Sequence, residues 1–139
     1  MASTVADVMT RNPATTDRKD SVADAARLMA QNDAGDVIVL DNGTVCGILT
    51  DRDIAIRLVA QDKPGSTPVA DVVSDASIET VEPGTVLDDA IKLMRNKAIR
   101  RLPVVQDGRA VGIVSLGDMA IERDSDSALA DVSAAKSNT

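Results

Sequence analysis

The chain writes one short text twice. Gly47-Ile48-Leu49-Thr50-Asp51-Arg52-Asp53 is matched 65 positions later by Gly112-Ile113-Val114-Ser115-Leu116-Gly117-Asp118. At the same offset Asp24 meets Asp89, Ala25 meets Ala90, Leu28 meets Leu93, Met29 meets Met94 and Gly43 meets Gly108. Nearer the start the offset is 64: Val5-Ala6-Asp7-Val8 faces Val69-Ala70-Asp71-Val72, so one residue was gained or lost in the loop that follows. An internal duplication means that whatever the first unit forms, the second must form as well. The two units run over 5–62 and 69–124. Between them QDKPGSTP (61–68) is rich in turn formers and supplies a linker over 63–68.

Both units read alike along the chain. A short helical or turn segment opens each, VADVM in one and VADVV in the other, followed by a loop and a short extended piece, PATT and SIETV. Next, Val22, Ala25, Ala26 and Met29 fall at the i, i+3, i+4, i+7 spacing of an amphipathic helix, as do Leu87, Ala90, Ile91 and Met94. The methionines at that spacing are core residues. Two aliphatic runs around a tight turn come after the helix. VIVL (37–40), DNG and VCGIL (45–49) make one hairpin, and LPVV (102–105), QDG and AVGIV (110–114) make the other. Continuous aliphatic strands predict burial on both faces. Pro103 cannot donate to a ladder, so its strand belongs at an edge or is irregular there. A second helix begins after Thr50 and after Ser115. The expected fold class is α/β, two tandem β-α-β-β-α repeats. Residues 125–139 are small and polar without a sustained apolar face, and predict a disordered tail.

Composition narrows the function. The chain has no aromatic residue, so its core is Val, Ile, Leu, Met and Ala, and it offers no platform on which single-stranded bases could stack. It has no histidine, which removes the commonest general base and the commonest transition-metal ligand. Fifteen basic against 22 acidic residues give a net charge of −7, which disfavours nucleic acid and anionic membrane as partners. No nucleophile–base pair can be assembled from the sequence, and the reading is of a protein that is not an enzyme. The single cysteine, Cys46, excludes an intrachain disulfide and a cysteine-cluster metal site, and its apolar setting reads as buried. No metal site is expected. The opening MASTVADVMTRNP lacks the apolar core of a secretory signal, and no apolar run approaches a bilayer span, so a cytoplasmic setting is expected.

The repeated motif supports two readings. Thr50-x-x-Asp53 and Ser115-x-x-Asp118 sit where a strand gives way to a helix, and a hydroxyl followed three residues later by an acid is a capping box. The same geometry suits a nucleoside phosphate. Free N–H groups and the helix dipole favour phosphate, and the hydroxyl of Thr50 or Ser115 can donate to it. A carboxylate one turn in, Asp53 or Asp118, can accept from vicinal ribose hydroxyls, and would repel phosphate. The preceding glycine permits close backbone approach to a ligand. Arg52, inside TDRD, reaches either phosphate or solvent.

Taken together, the duplicated element order, the helix ending in Leu-Met, the RRLPVV run and the two Gly-x-x-[Ser/Thr]-x-x-Asp copies resemble CBS domains, and the pair resembles a Bateman module. The resemblance covers about residues 5–123. It implies a pseudo-symmetric regulatory module that binds an adenosine compound (AMP, ADP, ATP or S-adenosylmethionine) in clefts between the repeats, with no cofactor required. By resemblance Asp53 and Asp118 hold ribose, while Thr50, Ser115, Arg100 and Arg101 lie near phosphate. The extended segments before each first helix add Thr15, Thr16, Thr80 and Val81 to the lining. The first unit departs from the pattern: Gly35-Asp36 stands where the second has Arg100-Arg101, so the two clefts are not expected to be equivalent. The family also implies a homodimer, with Ile54, Leu58, Leu93 and Ile121 serving either core or dimer face, and an output passed to an unknown protein target by a stand-alone sensor. The alternative is a protein–protein interaction module with no nucleotide ligand.

Overall fold

The protein is described here by a computed structural model covering residues 4–74 and 78–123. Two compact units emerge. One gathers residues 12–74, 78–79 and 107–110; the other gathers 4–11, 80–106 and 111–123.

In the first-repeat unit, β2 (Thr15–Asp17) runs parallel to β3 (Asp36–Asp41), which pairs antiparallel with β4 (Thr44–Thr50). β1 (Thr10–Arg11) belongs to the other unit. Asn42 and Gly43 turn the β3–β4 hairpin with φ of 52° and 86°, the backbone that an Asn-Gly pair adopts most readily. Helix α1 (Val22–Asn32) starts on Ser21, whose hydroxyl accepts from the Asp24 N–H at 3.1 Å, and ends on Asp33 in the left-handed region. Val22, Ala25 and Met29 are buried as their spacing predicts. Val37, Ile38 and Val39 are buried in succession, so β3 is covered on both faces. After Thr50 comes one α-helical turn, α2 (Asp51–Asp53), which then widens into a π-helix over Ile54–Val59. Sequence periodicity gives no sign of that widening. Leu58 is buried there and Ile54 partly so.

The second-repeat unit repeats this plan. Helix α3 (Leu87–Lys97) buries Leu87, Ala90, Ile91 and Met94. β5 (Arg101–Gln106) and β6 (Arg109–Ser115) form the hairpin, with Asp107 and Gly108 at positive φ. β1 joins the far side of β6, giving the order β1-β6-β5. β5 is therefore an edge strand, as Pro103 requires, and beyond it lies a single parallel bridge between Val81 and Val104. Helix α4 (Leu116–Arg123) follows Ser115. Leu93 packs partly buried on this core. The expected tail over 125–139 and the side chain of Ile121 lie outside the described residues.

The opening turn of each written repeat packs in the core of the other. Val5, from the 3-10 turn Val5–Asp7, is buried among Val81, Leu87, Ala90 and Leu102, while Val69 and Val72 are buried among Val22, Ala25, Val37 and Leu49. Identical backbone bonds seat the two turns. Val5 N–H donates to Thr85 O and Ala6 N–H to Pro83 O, both at 2.9 Å. Val69 N–H donates to Asp20 O at 2.8 Å and Ala70 N–H to Arg18 O at 2.9 Å. The linker is not a loose tether either: Gly65 O and Thr67 O accept from Ala23 and Val22 N–H, supplying partners to the open amides at the start of α1.

Candidate functional site

Each motif copy is positioned by a strand end, a helix start and the residue leading into the hairpin. In the first copy β4 delivers Thr50 half-buried. Its Oγ1 accepts from Asp53 N–H at 3.1 Å, and Asp53 Oδ2 accepts from Thr50 N–H at 3.0 Å. This is a complete capping box, so the capping reading of the spacing holds. It does not exhaust either side chain: the Thr50 hydroxyl still has its proton to donate, and Asp53 keeps its other oxygen as an acceptor. The second copy is half a box. Ser115 Oγ accepts from Asp118 N–H at 3.1 Å, but the Asp118 carboxylate is exposed and has no hydrogen-bond partner among the described residues.

A backbone clasp ties the hairpin entrance to each helix start. Asp51 N–H donates to Gly35 O at 2.9 Å, and Leu116 N–H donates to Arg100 O at 2.8 Å. The backbone of Arg100 is thereby held beside the Ser115–Leu116 junction, in the same unit. Arg100 and Arg101 are both exposed at the start of β5. At the other clasp Gly35 has no side chain, and the carboxylate of Asp51 covers the place where one would stand. Asp51 is the residue that reading the sequence missed; the signal was the charged filling of TDRD against the neutral filling of SLGD.

The remaining candidates divide by burial. Thr16 is 4% exposed, and its hydroxyl donates to Asp20 Oδ2 at 3.1 Å, which turns it into the protein. Val81 belongs to the second core. Thr15 is half-buried, and Thr80 and Arg52 are exposed. The motif glycines serve a different purpose from the expected one. A Cβ on Gly112 would stand 2.6 Å from Met9 Sδ and 3.0 Å from Thr10 O; one on Gly47 would stand 3.1 Å from Val73 Cγ2. The close approach that these glycines permit is by the exchanged opening segment, not by a ligand.

Cys46, half-buried on β4, has its thiol pushed above the ordinary value of 9.0 by burial; Arg18 pulls it down, and Asp41 and Asp17 push it up. Among the described residues no cluster of three or more acidic, cysteine or histidine side chains is arranged to hold a metal, and no helix is long and apolar enough to cross a membrane.

Two α/β repeats, each ending its hairpin in a hydroxyl-x-x-Asp helix start, define a tandem pair of one type of unit. The CBS domain profile matches residues 5–60 and 69–123, and the chain belongs to the CBS domain family. Its two repeats make it a CBS domain pair, a Bateman module. It is 43% identical over 121 residues to the CBS domain-containing protein YhcV of Bacillus subtilis, covering 87% of this chain and 86% of that one. A CBS-domain-containing protein of Agrobacterium tumefaciens shares its fold with a TM-score of 0.74 at 27% identity, over 88% of this chain and 95% of that one. The CBS domain pair of protein MJ0100, solved in complex with 5′-methylthioadenosine and S-adenosyl-L-methionine, gives a TM-score of 0.77 at 25% identity, over 89% and 98%.

Proposed function

We propose that this CBS pair is a regulatory module that binds an adenosine-containing small molecule at its two motif copies and transmits the binding through a change of conformation or assembly. One observation carries the reading: the backbone clasp that holds Arg100 next to Ser115, at a helix start whose Asp118 carboxylate has no hydrogen-bond partner among the described residues. The Asp118 carboxylate accepts from the two ribose hydroxyls, the Ser115 hydroxyl donates to phosphate, and Arg100 with Arg101 supplies planar forks for the phosphate oxygens. Thr50 and Asp53 offer the same hydroxyl and carboxylate in the first copy. The likeness to MJ0100, whose pair is complexed with two adenosine compounds, supports the choice of base and sugar. AMP, ADP, ATP and S-adenosylmethionine are the ligands to test. The absence of aromatic rings is no obstacle, because aliphatic side chains and backbone can enclose adenine. No chemical step is assigned. Binding acts as a switch to the extent that the ligand prefers one of two conformations.

A second reading, an interaction module without nucleotide, rests on the π-helix. Ile56 and Val59 are 45% and 65% exposed there, an apolar pair suited to a second copy of the chain. Thermal unfolding against the four ligands separates the readings. A ligand at about 100 times its dissociation constant adds roughly 2.7 kcal/mol, raising the midpoint by several degrees. The sensor reading requires that rise from at least one adenosine ligand and its loss when Asp53→Ala and Asp118→Ala are combined. No rise from any of them, with light scattering showing an unchanged dimer, favours the interaction module.

A further inference from the structure

Residues 4–11 are built into one unit, and the residues that follow them into the other. Val5 is fully buried with Val81, Leu87, Ala90 and Leu102, and Val8 and Met9 pack on the same core. Val5 and Ala6 N–H donate to Thr85 O and Pro83 O, and Thr10 and Arg11 pair with Ile113 and Gly112 of β6. The boundary between the units then falls between Arg11 and Asn12. By Ala14 the chain is fixed in the first-repeat unit, where the Ala14 carbonyl accepts from Ile38 N–H at 3.0 Å. Asn12 and Pro13 carry the crossing.

That crossing is strained. Asn12 has a φ of 53° and is followed by a proline. The pyrrolidine ring pushes the residue before it toward extended backbone, and any residue with a Cβ is disfavoured at positive φ, asparagine less than most. Straightening Asn12 relieves both. The other opening turn, Val69–Asp71, has no such hinge. The chain before it, from Asn12 through the linker, lies in the unit that the turn itself completes, and Gly65 and Thr67 fasten that linker to α1. Only the first turn can therefore be withdrawn while the residues next to it keep their places.

Withdrawal leaves a socket of Val81, Leu87, Ala90 and Leu102 beside two open carbonyls, Thr85 O and Pro83 O. The segment that fits it is Val-Ala-Asp-Val followed by β1, and a second copy of the chain carries that segment. We propose that residues 4–11 are an exchangeable arm: Asn12 extends, the arm of one copy seats Val5 in the socket of a second copy, and the second copy's arm fills the first. The bonds and packing of the closed arm are remade in the exchanged pair, so the balance is set by the hinge and by chain concentration. This pairing uses neither the exposed Ile56 and Val59 nor a nucleotide, and it stands or falls independently of the proposed function.

Disulfide trapping of the full chain tests it. In a Cys46→Val background, which removes the native thiol, one preparation carries Thr10→Cys and another Ile113→Cys, two residues that face each other across β1 and β6. The two are unfolded in urea, mixed, refolded together and oxidised. A hybrid disulfide in excess of the random proportion of hybrid to like-with-like bonds, with a yield that rises with chain concentration, is the expected result. Asn12→Val, which resists positive φ, should raise the hybrid yield at low chain concentration at least about fivefold, and Asn12→Gly, which accepts it, should lower the yield. Circular dichroism verifies that each variant refolds, and a chain carrying both cysteines verifies that the bond can close within one copy. No hybrid beyond the random proportion, while that double-cysteine chain closes its own bond, overturns the proposal. Equal yields from asparagine, valine and glycine at position 12 overturn it as well.

Discussion

In the first repeat β2 pairs with β3 over three residues, Thr15 with Ile38, Thr16 with Val39 and Asp17 with Leu40. In the second repeat the same two segments meet at one bridge, Val81 with Val104. Two prolines account for the difference. Ile38 N–H donates to Ala14 O at 3.0 Å and Arg18 N–H to Leu40 O at 2.9 Å; at the equivalent positions stand Pro103 and Pro83, which have no N–H to give. The bonds that survive, Val81 N–H to Pro103 O at 3.1 Å and Val105 N–H to Val81 O at 2.8 Å, are the two that prolines leave untouched. Val81 and Val104 nonetheless stay in the core, as Val39 does in the other unit. The fold therefore depends on the buried valines and on the seating of the exchanged turn more than on the length of this ladder.

Writing the second repeat's proline into the first should have the largest effect. Ile38→Pro removes a made hydrogen bond and a fully buried side chain, and should cost about 3 kcal/mol or more in urea unfolding. The reverse exchange, Pro103→Ile, should change stability by no more than about 1 kcal/mol, because the surrounding strand already does without that bond. Equal costs for the two would break the comparison.

The motif glycines come next. Gly112→Ala pushes a methyl against both Met9 and the backbone oxygen of Thr10, and should cost about 1–3 kcal/mol. Gly47→Ala meets one methyl of Val73, which can give way, and should cost less than about 1 kcal/mol. The helix caps follow. Thr50→Ala and Ser115→Ala each remove one side-chain acceptor of a helix-start N–H and should each lower stability by about 1 kcal/mol. Both pairs are read from the shift of a denaturation midpoint.

Cys46 gives the smallest and most local contrast, since Val111 holds its place in the second repeat. Cys46→Val should be within about 1 kcal/mol of the parent. In the parent the thiol's folded pKa lies above its unfolded value, so its contribution to stability is complete below 9.0 and is lost as pH rises through the folded value. Alkylation by iodoacetamide at mildly alkaline pH should accordingly be slower in the folded protein than in denaturant; equal rates would show that burial leaves the thiol unperturbed.

Much of this was legible from spacing. The helices at Val22 and Leu87, the Asn-Gly and Asp-Gly hairpins, the edge position of β5 and the caps at Thr50 and Ser115 each follow from a local signal, and duplication let every signal be read twice. The exchange of the opening turns was not legible, because VADV reads the same whichever core receives Val5 or Val69. Nor was the use of Gly47 and Gly112: a glycine shows that something comes close, and only the tertiary structure shows that it is Val73 or Met9. The π-helix after Asp53 leaves the apolar pattern intact and changes only the backbone bonding. Asp51 was passed over as motif spacing because its importance lies in a distance to Gly35, sixteen residues away in sequence.

The most direct measurement is an amide correlation NMR spectrum of the isotopically labelled chain titrated in turn with AMP, ADP, ATP and S-adenosylmethionine. Saturable shifts from at least one of them at a motif copy, Thr50–Asp53 or Ser115–Asp118, and their loss when Asp53→Ala and Asp118→Ala are combined, are the expected result. An unchanged spectrum at millimolar concentrations of all four would contradict the proposed function.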